Sequence, residues 1–378
     1  MPLLWPEQGT GTALGQPMHG SGPSAPDIPE REMRRVLLAR MDSDGDVLLA
    51  GPAVRSVAAG CDELTLLVGP DGQAAAALLP GVHTVLTWNC PWITHPALPV
   101  EPAVVHELVA RLTALRVDAA VLLTSFHQSP LPLALLLRMA GVPRITGASV
   151  DYAGSLLDIR LRPGSSAGAQ LSEDIPEPER ALAIASAAGF SGPPGDDGRL
   201  AVRPPPDTAA LTGPGRYLVL HPGARVTARR YPARRCREAV RALTEAGHRV
   251  LVTGAPSEVE LTREVAGDHG TDIGGRTTLA ELSGVLAGAS AVVVGNTGPA
   301  HLAAAVGTPV VSLFAPVVPA VRWAPYRVPH VLLGHQRAAC RDSRARECPL
   351  PGHPCLNDVP AEDVVKAVTT LIKTEAAA

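Results

Sequence analysis

Short apolar runs alternate with stretches whose apolar residues recur at helical spacing, and this alternation occurs twice along the chain. In the first series the pattern predicts strands over 36–39, 63–69, 83–88 and 118–125, and a fifth beginning near 143. Helices are predicted over 46–59, 104–116 and 130–142. After residue 215 the pattern restarts, with strands over 216–221, 248–254, 291–295 and 308–314. Its helices fall over 232–247, 257–268, 277–289, 298–307 and 360–376, with Ser257 as the expected N-cap of the second. Strands alternating with helices imply parallel sheets covered on both faces, an α/β architecture of doubly wound type. Between the series, Pro and Gly crowd together and periodicity is lost, as in a linker. The implied organisation is a disordered tail over 1–32, a first Rossmann-like half over 33–190 and a linker over 191–215. A second Rossmann-like half covers 216–358, and a final helix occupies 359–378. Apolar residues make up 46% of the chain but aromatics only 3%, so both cores must be built from Leu, Val, Ala and Ile.

The formal net charge of −3 disfavours a general nucleic-acid binder. No apolar run reaches the roughly 18 residues of a membrane span, which leaves only peripheral membrane association open. The Gly-, Pro- and Ser-rich start lacks a basic segment followed by an apolar one, so the expected compartment is the cytoplasm with reduced thiols. A G-x-x-x-x-G-K-[ST] loop is absent, and no G-x-G-x-x-G follows the first strand. The chain has only two lysines, Lys366 and Lys373, so arginine is expected wherever a site needs a fixed cation.

Three turns carry chemistry. Asp42-Ser43-Asp44-Gly45-Asp46 lies where the first strand gives way to a helix, the edge at which open α/β sheets bind ligands. Its acids suit either ordinary helix capping or a carboxylate poised as a general base. His221-Pro222-Gly223-Ala224-Arg225, followed by Arg229-Arg230-Tyr231-Pro232, is a Gly turn and a cationic loop. Its guanidinium groups suit a phosphate, although a solvated basic loop would read the same. Gly295-Asn296-Thr297-Gly298-Pro299-Ala300-His301 carries a strand into a helix whose free amides form an anion site. Cys340, Cys348 and Cys355, with His353, are spaced too widely for the short Cys pairs of structural zinc sites and read as buried or spare thiols.

In this order, the motifs resemble glycosyltransferase family 9, the ADP-heptose–lipopolysaccharide heptosyltransferases. The opening run LLARMDSDGDVLLAGPAVR matches the family's strand, Gly-Asp-Val-Leu helix start and following proline. The second half repeats its His-Pro-Gly turn, its basic-x-aromatic-Pro loop at Arg229–Pro232, and Gly254-Ala255-Pro256-Ser257-Glu258. Thr297-Gly298-Pro299-Ala300-His301-Leu302 and Gly307-Thr308-Pro309 complete the set, which extends over about residues 34–373.

The resemblance implies a GT-B architecture, an acceptor-binding first half, a second half that binds a nucleotide-diphosphate sugar, and a last helix, over 359–378, that crosses back to the first half. Asp46 matches the family's catalytic carboxylate. Arg229 stands where the family has lysine on the phosphates, with Arg225 beside it. Asn296, Thr297, Gly298 and His301 match the diphosphate turn. Glu258 falls near a ribose-binding carboxylate and Thr277 beside the nucleobase. Asp44, Ser125, His127 and Gln128 are the acceptor-side candidates. The implied reaction is inverting, metal-independent transfer of a sugar, with an ADP-linked heptose as the family's own example, to a hydroxyl of a glycan, glycolipid or natural product. No cofactor is expected. A nucleotide-sugar epimerase of the same architecture and an inactive nucleotide-sugar-binding protein are the competing readings. Three departures stand out: Asn296 replaces a frequent Asp, Tyr231 replaces a usual Trp, and SFHQSPLP and DYAGSLLDIR in the first half do not resemble the lipopolysaccharide enzymes.

Overall fold

Alternate residues of the first strand serve two different cores, which places that strand in the middle of a sheet covered on both faces. In the computed structural model, which describes residues 33–164 and 168–376, this strand is β1 (Arg35–Ala39). Val36 and Leu38 join one apolar cluster, while Leu37 and Ala39 join another. The expected tail over 1–32 lies outside the described residues.

The first series comprises β1, α1 (Asp44–Leu49), α2 (Gly51–Ala59), β2 (Glu63–Val68), α3 (Gln73–Leu78) and β3 (Thr84–Thr87). It continues through α4 (Pro102–Leu115), β4 (Ala119–Leu122), α5 (Leu131–Met139), β5 (Arg144–Ala148), β6 (Ile159–Leu161) and α6 (Glu177–Ala187). After the short α7 (Ala209–Thr212) come β7 (Leu218–His221), α8 (Ala233–Glu245), β8 (Val250–Val252), α9 (Val259–Ala266) and β9 (Thr271–Asp272). The remainder is α10 (Leu279–Ala287), β10 (Ala291–Gly295), α11 (Gly298–Ala305), β11 (Val310–Leu313), α12 (Ala320–Trp323), β12 (His330–Leu333), α13 (Pro354–Asn357) and α14 (Ala361–Ala376).

Two six-stranded sheets result, in the orders β3-β2-β1-β4-β5-β6 and β12-β11-β10-β7-β8-β9. Renumbered from its own first strand, the second order is the first read from the opposite edge. Their strand pairings are parallel. Each sheet reverses its winding at one place, between β1 and β4 and between β7 and β10, and such switch points leave a crevice at the strands' carboxyl ends. One apolar cluster is shared by both series, joining Val36 and Leu38 to Val292, Val294, Ala300 and Leu302. Among the described residues no helix is long and apolar enough to cross a membrane.

Four expectations need correction. The helix expected over 46–59 is two helices, because Pro52 has no amide to return to the carbonyl four residues back and the chain restarts at Gly51. Ser257 does not cap a helix: it lies in the 3₁₀ turn Pro256–Glu258, whose Glu258 carboxylate accepts from the Ala255 amide at 2.9 Å. Helix α14 does not cross back. It packs on α8 and on β10, β11 and β12, burying Val364, Val368 and Leu371 in the second core. The short strands β6, β9 and β12 go beyond the expected set, since two to four residues at a sheet edge leave little period to read.

Candidate active site

Both switch points open into one cleft, and each expected turn sits on a strand end beside it. A main chamber of about 980 Å³ is lined by both halves, including Asp44, Asp46, Arg229, Glu258, Thr277 and Gly298. A side chamber of about 490 Å³ shares Asp46, Arg229 and Thr297 and adds Ser125, His127, His301, Trp323 and Arg344. These volumes fall in the range of ligand sites.

At the first switch point the chain leaves β1 through Arg40, which is buried. Its Nη2 donates to Asp46 Oδ1 at 3.0 Å and to Ser125 Oγ at 3.2 Å, and its Nε lies 3.1 Å from Asp42 Oδ2. Glu177 from α6 approaches the same guanidinium at 3.7 Å. Burial alone would lower the arginine's pKa, but Asp42, Asp46 and Glu177 together raise it, so it stays charged. Asp46 also accepts from Ser43 Oγ at 3.0 Å and from Trp323 Nε1 at 3.4 Å. Burial pushes its carboxyl up, yet Arg40, His301, Ser43 and Trp323 outweigh burial and hold it below the ordinary range. With 21% of its side-chain surface accessible, Asp46 is an ionised carboxylate that a ligand can reach.

Asp42 takes the opposite direction. Its pKa is pushed up to about 6, chiefly by burial, with Arg40 opposing and Asp46 adding to the rise. Gln128 Nε2 donates to its Oδ1 at 2.6 Å, and the Ser125 amide donates to Gln128 Oε1 at 3.1 Å. Ser125 and Gln128 therefore brace the acid cluster, and Gln128 is turned to Asp42 rather than to the cleft. Asp44 is also committed, since its Oδ1 accepts the Ala75 amide at 2.9 Å near the start of α3. Of the acceptor-side candidates, Ser125 and His127 line the side chamber, with the His127 ring beside Phe126, and Asp44 lines the main one.

At the second switch point, α11 begins immediately after β10, and its first turn meets α1. A methyl group on Gly45 would lie 3.1 Å from His301 Cδ2 and 3.2 Å from the Gly298 Cα, so the two helix starts come this close only because Gly45 has no side chain. The Gly298 amide at the start of α11 thus opens near Asp46. His301 is buried, its Nδ1 has no partner, and burial pushes its pKa down to about 4, with Asp46 opposing and Arg229 adding to the fall. Arg229 is half-buried, its Nε enclosed and unpartnered; burial lowers its pKa and Asp46 opposes. The Thr297 and Ala300 amides are spent on the Gly295 and Thr297 carbonyls and Pro299 has none, so the cleft holds a cation with unspent donors facing a helix start whose Gly298 amide is open.

Asn296 does not aim into the cleft. Its Nδ2 donates to the Ala315 carbonyl at 3.3 Å and its Oδ1 accepts the Ala315 amide at 3.2 Å, tying β10 to the chain after β11. An aspartate could accept from that amide but would repel that carbonyl. Arg225 is paired with Asp71 of the first half and is 58% exposed, so it closes the rim rather than lining the floor. Glu258 lies so close over Gly223 that any β-carbon there would collide with its carboxylate. Thr277 shares the main chamber with it. Tyr231 is a buried core ring whose hydroxyl donates to the Val359 carbonyl at 2.7 Å.

The cysteines are all free thiols. Burial first, and then Cys340 and Cys348, push the Cys355 thiol up to about 12. His353 Nε2 lies 3.1 Å from the Ala228 carbonyl, facing the backbone. Among the described residues no group of three or more His, Cys, Asp or Glu is arranged to hold a metal ion.

A model of glycosyltransferase family 9 (heptosyltransferase) matches residues 106–353. The chain belongs to this family. It is 28% identical over 165 residues to lipopolysaccharide heptosyltransferase 3 of Escherichia coli, a match covering 41% of this chain and 47% of that protein. The chain thus spans about half the length of the curated relatives it matches. Among solved structures, a family 9 glycosyl transferase from Veillonella parvula aligns with TM-score 0.69 at 15% identity, covering 91% of this chain and 99% of that one. The ADP-heptose LPS heptosyltransferase II of E. coli aligns with TM-score 0.67 at 18% identity, covering 90% and 99%. At such identity the likeness is one of fold, the GT-B arrangement of two doubly wound halves.

Sequence reasoning missed Arg40, Phe126, Glu177, Arg322, Trp323, Arg344 and Arg346. Arg40 left one signal, a charge at the end of an apolar strand directly before an acidic turn. Phe126 stands between Ser125 and His127 in the loop after β4, and the others reach the cleft only through the packing of α6, α12 and the loop after β12.

Proposed function

We propose that the protein is an inverting glycosyltransferase that moves a sugar from a nucleotide-diphosphate donor to an acceptor hydroxyl. The observation that carries this reading is the meeting of Asp46 and the start of α11 across Gly45. A carboxylate held ionised stands beside a cation and the open Gly298 amide at a helix start in one cleft.

In this reading residues 33–190 form the acceptor side and residues 216–358 the donor side. Asp46 takes the proton from the acceptor hydroxyl as its oxygen attacks the anomeric carbon on the face opposite the diphosphate. The bond from that carbon to the diphosphate oxygen breaks as the new glycosidic bond forms. The leaving charge falls on Arg229 and the Gly298 amide at the positive end of α11, which are already in place and need no reorganisation. The contacts that keep Asp46 ionised also lower its basicity, so its proton transfer accompanies bond formation rather than preceding it. Glu258 and Thr277 lie along the main chamber, where the nucleoside would extend. The relatives' names support an ADP-heptose as the first donor to try. The diphosphate pocket, built of guanidinium and amide groups, supports metal-independent transfer.

A panel of nucleotide sugars, incubated with and without glycan, glycolipid and small hydroxylic acceptors, tests this reading. Released nucleotide and product stereochemistry are followed by NMR. Acceptor-dependent release with inversion is expected. Donor conversion without any acceptor would instead support an epimerase, and donor binding without turnover an inactive binder.

A further inference from the structure

Asp46 belongs to the first half, yet one of its hydrogen-bond donors, Trp323, belongs to the second. The residue before it, Arg322, is buried and reaches α6 of the first half. Its Nη1 donates to Glu177 Oε1 at 3.1 Å, and its Nη2 pairs with Glu173. Glu177's other oxygen faces Arg40, whose Nη2 holds Asp46 Oδ1. Arg322 also lies 4.4 Å over the Phe126 ring, and that ring packs against Trp323 at 5.8 Å between centroids. Two routes therefore run from α12 to the carboxylate. One goes directly through the indole N–H, the other through Glu177 and Arg40. Neither requires that Arg322 or Trp323 touch a substrate.

We propose that Arg322 and Trp323 are positioning residues for Asp46, so that the carboxylate is fully oriented only when the second half is docked on the first. The proposal rests on Asp46 being the base. It makes assembly of the cleft and readiness of the base one event. A donor-side segment completes an acceptor-side group, and a base left undocked lacks its indole bond and a fixed Glu177.

The groups that face Asp46 bear on the test. Arg40 and Asp42 approach from the end of β1, Ser43 from its own turn, and His127 from the loop after β4. From the second half come His301, Arg229 and Trp323. Loss of the indole donor removes one stabilising contact and leaves the charged ones in place.

The full-length protein labelled with ¹³C at aspartate carboxyls reports the Asp46 titration directly, its signal being the one missing from Asp46→Asn. Trp323→Phe keeps the ring packing and removes only the N–H. It is expected to raise the Asp46 midpoint by at least about half a pH unit. Arg322→Met is expected to raise it too, and to lower the transfer rate about tenfold or more through misplacement of the base. Affinity for the released nucleoside diphosphate should change less than about twofold, since neither residue is placed on the nucleotide. If Arg322→Met does not fold, Trp323→Phe decides alone. An unmoved Asp46 midpoint in the folded variants, with Asp46→Asn inactive, overturns the proposal and leaves the function standing. Normal transfer by Asp46→Asn overturns the base assignment itself.

Discussion

At the end of β1 a single buried guanidinium is surrounded by Asp42, Asp46 and Glu177. At the ends of β7 and β10 the corresponding space holds Arg229, the start of α11 and an uncharged His301. The strand order at the two switch points is the same, so sheet topology cannot account for the difference. The residues in the turns do. The first turn spends Arg40 on keeping a carboxylate ionised, and the second keeps Arg229 and the Gly298 amide unpaired. One half is built to receive a proton and the other to receive negative charge. Transfer to a hydroxyl with a diphosphate leaving group needs both, a few ångströms apart.

The largest expected effect comes from removing the charge on the proton-accepting side. Asp46→Asn should lower the transfer rate at least about a hundredfold, the scale of a lost general base, while leaving donor affinity close to normal. The donor–acceptor pair found by the panel supplies the assay, and calorimetry with the nucleotide supplies the affinity. Near-normal turnover by a folded Asp46→Asn protein would erase the division of labour between the halves. Asp44→Asn in parallel separates the base from the acid that caps α3, and the capping variant should retain most activity.

On the other side, Arg229→Ala should weaken nucleotide-sugar binding by about 1.5–3 kcal/mol, the range for charge-assisted contacts. Arg229→Lys should recover much of the loss, because a point charge still serves a diphosphate. The comparison with Arg225→Ala is instructive: Arg225 is mostly exposed and paired with Asp71, so its loss should matter less. A silent Arg229→Ala beside a damaging Arg225→Ala would move the diphosphate to the rim of the cleft.

The two turns also differ in the sign of their response to acid. Asp42 titrates in the folded protein near 6, above its ordinary value of 3.8. Between those values the folded state holds a proton that the unfolded state has released. Its contribution to stability is complete below 3.8 and is lost as pH rises through about 6. His301 titrates near 4, below its ordinary 6.5, so the unfolded state binds the extra proton. Its contribution is complete above 6.5 and is lost as pH falls toward 4. Between pH 4 and 6 the two oppose each other. Asp42→Asn should therefore lose stability on acidification more steeply than the parent, and His301→Gln less steeply. Each slope should differ from the parent's by up to about 1.4 kcal/mol per pH unit, read from urea midpoints. Slopes that shift together would show that one of these groups is not buried in the state assigned to it.

The sequence made the turns legible because strand ends, glycines and acids are local signals. The identities of Asp46 and Arg229 as cleft residues came from such spans. Commitments that depend on distant partners were not legible. Asn296 reads as a ligand to an anion until Ala315 occupies both ends of its amide. Gln128 and Asp44 read as acceptor contacts until Asp42 and the Ala75 amide claim them. Trp323 lies 277 residues from the carboxylate it touches, in a segment with no period or motif. The final helix, which the resemblance sends to the first half, packs on the second, and its amphipathicity shows that a face is buried but not which half buries it.

The smallest expected effect concerns metal, and it too follows from the contrast between the turns. A divalent ion on a diphosphate needs charged oxygen ligands besides the phosphates. The carboxylates nearest the second switch point are already engaged: Asp42 and Asp46 by Arg40, and Glu258 by the Ala255 amide. Asn296 offers an amide, and that amide is tied to Ala315. Arg229 and the Gly298 amide at the start of α11 can neutralise the leaving group by themselves. Transfer should therefore persist in EDTA, and added Mg²⁺ or Mn²⁺ should change its rate by less than about threefold. Chelation can also act on the fold rather than on the site. Metal analysis of the purified protein before and after chelation separates the cases. Complete loss of activity on chelation of a metal-free preparation, restored by Mg²⁺, would require a carboxylate to leave its present partner. The second turn could then no longer be regarded as a self-sufficient anion site.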